Sequence, residues 1–205
     1  MAAITSIEAL RERYTKQPRE RVVRKELDRI DEHARRFIAH SPFFVLATSS
    51  ADGRLDGSPR GDLPGFVHVR DETTLLIPDR PGNNRLDSLT NLIEHPGAGL
   101  LFMIPGVDET LRVNGQIEIR EDDDLRAAFS VAGRLPTTVL VVAVEQVYLH
   151  CAKAFMRSRL WNPDSWYNAR PVPTLGEMIH DQINEAVPAE TQDAMLARYH
   201  RESLY

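Results

Sequence analysis

The segment TLRVNGQIEIR, residues 110–120, alternates along its length: Leu111, Val113, Ile117 and Ile119 are apolar, whereas Thr110, Arg112, Asn114, Gln116 and Glu118 are polar. A period of two predicts a strand with one face in a core and the other against water, a partner or a ligand. Working outward from it, residues 99–104 read as a buried strand that Pro105-Gly106 turns into this one, and residues 138–150 as a long strand behind it. Upstream, residues 43–48 (FFVLAT), a turn at Asp52-Gly53, and strands at 55–59, 66–70 and 74–77 follow the same texture. Short helices are predicted at 86–96, ending at His95-Pro96, and at 122–131. Closely spaced strands with hairpin-compatible links favour a mainly β protein with flanking helices, an antiparallel barrel over a doubly wound parallel sheet.

The ends of the chain read as helical. Thr5-Ser6-Ile7-Glu8 has the form of a capping box opening a helix that Gln17-Pro18 interrupts. Val23, Leu27, Ile30, Ala34 and Phe37 predict one long helix over 19–39, with Glu20–Arg24, Asp31–Arg35 and Glu32–Arg36 pairs on its outer face. Beyond the last strand, helices are expected at 152–161, 174–185 and 189–201. The division that results is a helical arm at 1–40, a barrel at 41–150 and a helical extension at 151–205 that packs on the barrel and on a dimer interface.

The 205 residues carry 25 Lys and Arg against 30 Asp and Glu, a formal charge of −5. Residues 1–40 hold 10 basic and 7 acidic side chains, so the remainder is strongly acidic and lacks the basic footprint of a nucleic-acid binder. The longest apolar run, residues 139–144, is far short of the roughly 20 residues of a membrane span. The opening MAAITSIEALRERY does not read as a signal peptide, and a cytoplasmic location is the expectation. Cys151 is the only cysteine and the seven histidines show no ligand spacing, so neither a disulfide nor a dedicated metal site is expected; Cys151 itself reads as a buried structural residue, and not as a nucleophile served by His150.

Three clusters place positive charge and amide donors beside Gly or Pro. Ser58-Pro59-Arg60-Gly61-Asp62 ends a strand; its plain alternative is a turn with an internal Arg–Asp pair. Asn83-Asn84-Arg85 precedes a helix whose free N–H groups favour an anion; alternatively the asparagines only cap it. Lys153, Arg157 and Trp161 share one face if their segment is helical, or else line a solvated surface. Together they suggest a phosphate-bearing ligand, since Arg forks onto phosphate oxygens while Asn and helix N–H groups complete the cradle.

With these elements in order, TLLIPDRPGNNRLDSLTNLIEHPGAGLLFMIPGVDETLRVNGQIEI (residues 74–119) resembles the flavin-binding half of the pyridoxamine 5′-phosphate oxidase-like split-barrel family. SPRGD, IPDRPGNNR and HCAKAFMRSRLW also look like a bacterial subgroup of FMN-dependent enzymes. The resemblance implies an antiparallel split β-barrel forming a homodimer, with FMN between the subunits and a small-molecule substrate. By position it implies that Arg60, Asn84 and Arg85 meet the FMN phosphate with Ser58 and Asn83, and that Ile77 and Pro78 touch flavin from a strand end. Thr110 and Arg112 would lie near the isoalloxazine ring, and Lys153, Arg157, Arg159 and Trp161 where the family places contacts beyond its last strand. The family's C-terminal substrate-phosphate signature is not found, so flavin binding is a firmer expectation than pyridoxamine phosphate oxidation. A non-catalytic binder of flavin, haem or deazaflavin is the alternative, and a helical-armed dimerisation module a third.

Overall fold

The computed structural model describes residues 3–184 and 186–204. Helices α1 (Ile7–Arg13), α2 (Glu20–Arg24) and α3 (Glu32–His40) lead into β1 (Phe43–Ser49), β2 (Leu55–Gly61), β3 (His68–Asp71) and β4 (Thr74–Asp79). Helix α4 (Asp87–Glu94), strands β5 (Gly97–Met103) and β6 (Thr110–Arg120), helix α5 (Asp123–Ala127) and strand β7 (Thr138–His150) complete the centre. Helices α6 (Lys153–Ser158), α7 (Leu175–Ile183) and α8 (Gln192–Arg198) follow. Met1 and Ala2 of the arm, the expected helix end at Glu185, and Tyr205 lie outside the described residues.

All seven strands form one antiparallel sheet in the order β2-β1-β5-β6-β7-β4-β3. Phe44, Leu46, Leu75, Ile77, Leu100, Phe102, Leu111, Val113 and Leu140 are fully buried on its inner side, with Ala34 and Ile38 of α3 packed against them. The apolar phase of β6 is the one read from the sequence, and Thr110 is buried as well. The sheet curls: β2 and β4 are far apart in strand order, yet Arg60 of β2 meets Asp79 of β4 at 2.6 Å, and Asp62 meets Arg80 at 2.8 Å just beyond. Ion pairs thus close the barrel where no backbone ladder does.

One irregularity sets the faces of β7. Asn114 lies opposite Gln146 but Gly115 lies opposite Val144, so Glu145 is an extra residue bulged out of the ladder. Before it Leu140, Val142 and Val144 point inward; after it Val147 does. The bulge also explains Gly115, where a Cβ would collide with the Ala143 carbonyl oxygen.

The long helix expected over 19–39 is broken. Leu27 forms a two-bond β-bridge to Val147, Ile30 donates to the Glu72 carbonyl, and Asp31 caps α3 by accepting from the Ala34 N–H at 2.8 Å. Beyond the Thr74–Ala143 pair β4 no longer borders β7, and the Leu27 segment takes its place; satisfying a strand edge outweighs continuing a helix. Of the three expected ion pairs Glu20–Arg24 forms, at 3.3 Å on the surface, whereas Asp31 is committed to its cap. At the N-terminus Ser6, one residue later than the capping-box reading, caps α1 through the Ala9 N–H.

Candidate functional site

Strand β2 runs two residues further than its apolar pattern suggested, which carries Arg60 into the sheet, opposite Phe44. Its guanidinium is mostly buried, with Nη1 donating to Asp79, so SPRGD is not a turn with an internal pair. Strand β4 delivers Ile77, Pro78 and Asp79, and the loop after it returns over β2. This loop is strained: Asn84 and Leu86 both have positive φ, 57° and 59°. Asn83 does not cap the helix; its Oδ1 accepts from the Arg85 N–H at 3.0 Å. Leu86 occupies the cap position of α4 without a side-chain bond, and Ser88 in the first turn donates to Asp56.

Between β2, β4 and α4 lies a cleft of about 710 Å³ lined by Ser58, Arg60, Pro78, Asn83, Asn84 and Thr138, among others. Ile77 is buried directly behind it. Arg85 is exposed at its margin, turned onto Asp87 at 2.8 Å; this contact raises the guanidinium pKa through hydrogen bonding and then through charge. The arginines are offset by carboxylates: Arg60 by Asp79, Arg80 by Asp62, Arg85 by Asp87. The cleft is therefore a donor-rich site and not a strongly cationic one. Two buried polar atoms in residues of its lining have no partner, Arg60 Nε and Thr138 Oγ1. A buried donor left unmade costs about 1–3 kcal/mol, so both fit an acceptor-rich group such as a phosphate.

The other expected site residues lie elsewhere. Thr110 and Arg112 are on β6 opposite His150 and Tyr148, and neither lines the cleft. Lys153 and Arg157 are exposed on α6, but the helix stops at Ser158 and Arg159 turns left-handed with φ 55°, so Trp161 does not share their face. Instead the Trp161 ring stacks on Phe155 at 5.6 Å and its indole N–H donates to the Val107 carbonyl. Cys151 is exposed, against the expectation of burial, because β7 ends at His150 and the chain leaves the sheet there. Its thiol pKa is lowered by a bond from the Lys153 backbone N–H and, secondarily, by the charges of Lys153 and Lys25. Asp79 and Thr138, paired across β4 and β7, are site residues that sequence reasoning missed; only the strand register brings them together. Among the described residues no group of acidic, His and Cys side chains could hold a metal, and no helix is long and apolar enough to cross a membrane.

Comparison with solved structures gives fold-level likeness. A single-residue variant of HupZ from Group A Streptococcus superposes with a TM-score of 0.50 at 16% identity, over 59% of this chain and 99% of that one. General stress protein 26 from Bacillus anthracis gives 0.42 at 17% identity, over 56% and 88%. HutZ of Vibrio cholerae, described as a haem storage protein, gives 0.42 at 17%, over 60% and 94%. A comparison with curated proteins gives no match. Residues 30–151 match the model of the pyridoxamine 5′-phosphate oxidase family, which spans more than half of the chain and takes in every strand and the whole Arg60 cleft, and the chain belongs to that family.

Proposed function

We propose that this split barrel is an FMN-dependent oxidoreductase acting on a small molecule as a cytoplasmic homodimer. The observation that carries the reading is the pair of buried, unpartnered atoms, Arg60 Nε and Thr138 Oγ1, in a cleft of the size a mononucleotide needs. Arg60 would donate through Nε to the cofactor phosphate while Asp79 holds the guanidinium plane in place. Ser58, Asn83 and Asn84 add polar contacts around the phosphate, Arg85 can swing in from Asp87, and Pro78 contributes to the apolar wall, while Ile77 beside it is held in the core and does not line the cleft. Bound FMN supplies the electron or hydride transfer, and the protein supplies binding, orientation and electrostatics. Thr110, Arg112, Lys153 and Arg157 fall outside the cleft of their own chain, which supports a site completed by a second copy; Trp161 and Arg159 then act by shaping the segment after α6.

Quenching of FMN fluorescence by the purified protein tests this. Saturable quenching is expected, and Arg60→Gln is expected to weaken it at least tenfold. Protein that neither carries flavin absorbance nor quenches added FMN sinks the proposal.

A further inference from the structure

Both flanks of the family-matched residues 30–151 form capped helices that bury almost nothing of their own. Ser6 caps α1, and Ile7, Leu10 and Tyr14 recur along it at three- and four-residue steps, which puts them on one face; Ile7 is 74% exposed and Tyr14 67%. On the other flank Thr174 and Glu177 form a capping box for α7, and Thr191 caps α8. Gly176 sits so close to the Glu190 backbone that a Cβ would lie 2.6 Å from its carbonyl oxygen, which brings the two helices into one hairpin. Leu175, Ile179 and Ile183 form a stripe at four-residue steps along α7, and each is at least 41% exposed. Helices α1, α2 and α7 bury no residue, and α8 buries Met195 alone. Helices of seven and nine residues are marginal in water by themselves, and packing of an apolar face is what holds such helices in proteins.

The two flanks are opposite in charge. Residues 1–24 hold six basic and three acidic side chains, whereas residues 174–204 hold two basic and six acidic ones. Arg24 pairs with Glu20 at 3.3 Å, but among the described residues Arg11, Arg13, Lys16, Arg19 and Arg21 form no ion pair. Asp181 and Asp193 stand exposed on the hairpin. The two segments are also rooted side by side: Lys25 donates to the Leu149 carbonyl at the end of β7, and the C-terminal extension leaves the sheet just after it, at His150. Two copies related by a two-fold axis past this end of β7 bring each arm to the other copy's hairpin, a reciprocal pairing that closes on itself.

We propose that the N-terminal arm of one copy docks on the α7–α8 hairpin of a second copy, and the reverse. Ile7, Leu10 and Tyr14 cover the Leu175, Ile179 and Ile183 stripe, and the basic residues of the arm face the carboxylates of the hairpin. The contact shares with the flavin reading only its need of two copies; it is measured in flavin-free protein and stands or falls separately from FMN quenching. Neither segment feeds the barrel core, so association reports the contact and the unfolding midpoint of the barrel does not.

Sedimentation equilibrium of the full chain at low and at high NaCl tests this. One variant combines Arg11→Glu, Arg13→Glu and Lys16→Glu; the other combines Asp181→Lys, Gln182→Lys and Asp193→Lys, all at exposed positions. Each reverses the sign of its segment and so leaves arm and hairpin like-charged, and each is expected to weaken self-association at low salt about tenfold. An equimolar mixture of the two variants is expected to regain the association of the parent, since every arm then meets a hairpin of opposite charge. High salt is expected to weaken the parent, and Ile7→Ser to weaken it at either salt. Association unchanged in both charge variants overturns the proposal. A loss that mixing does not restore overturns it too, because that outcome places the contact within one chain. So does a parent that stays monomeric, whether or not it sediments with vesicles of anionic phosphatidylglycerol.

Discussion

His68 packs on Phe129 with ring centroids 4.1 Å apart, and burial holds its imidazole pKa below the ordinary value, as it does for His150. As pH falls the unfolded chain takes up these protons first, so their contribution to stability is fully present above the unfolded pKa and is lost as pH drops through the folded one. Urea unfolding between pH 7.5 and 5 is expected to give a stability that declines below about pH 6.5, with a smaller decline in His68→Phe. A decline identical in the variant would remove His68 from the explanation. Arg60 teaches a related lesson about reading residues from sequence. Its position beside Pro59 and Gly61 singled it out, but its partner Asp79 is 19 residues away, and no local spacing announces a contact made by curling the sheet. Ser58, Asn83 and Asn84 were legible for the same local reason that Thr138 was not.

Among the elements, strand alternation was legible wherever one face is buried, because burial imposes the period. Strands β6 and β7 begin and end where the pattern placed them, whereas β5 starts two residues before the expected 99 and ends one before the expected 104. The helix over 19–39 failed because helical spacing in Val23, Leu27 and Ile30 says nothing of a strand edge that needs a backbone partner at residue 27. The face of Trp161 failed likewise, since the left-handed turn at Arg159 follows from packing and not from spacing. The bulge at Glu145 was equally invisible, although Gly115 on the neighbouring strand is its trace. Deleting Glu145 is expected to close the bulge and leave Val144 and Val147 inward and Gln146, Tyr148 and His150 outward, because Val144 and Gln146 already lie opposite the adjacent residues Gly115 and Asn114. Thermal denaturation should therefore give a midpoint close to the parent's, since no side chain changes face. A large fall in midpoint, or no cooperative transition, would mean that the fold needs the bulge itself and not only the phase it sets.

At the scale of the whole molecule, the core is shared between the sheet and α3, whereas α1 and α2 bury no residue of their own. Removing residues 1–18 is therefore expected to leave the unfolding midpoint unchanged, while removing 1–28 should lower it by stripping Leu27 from Val147. The comparison is made by differential scanning calorimetry, and equal midpoints for the two truncations would deny the bridge any structural role. That bridge has a further meaning for how the molecules behave in company. Past Val144, whose N–H still bonds the Thr73 carbonyl, the outer edge of β7 would otherwise offer its N–H and C=O groups to any extended chain, and such open edges seed the stacking of one sheet onto another. Residues 25–27 act as a guard strand, so a protease cut just after them would be expected to leave the fold largely intact while making the protein prone to aggregate.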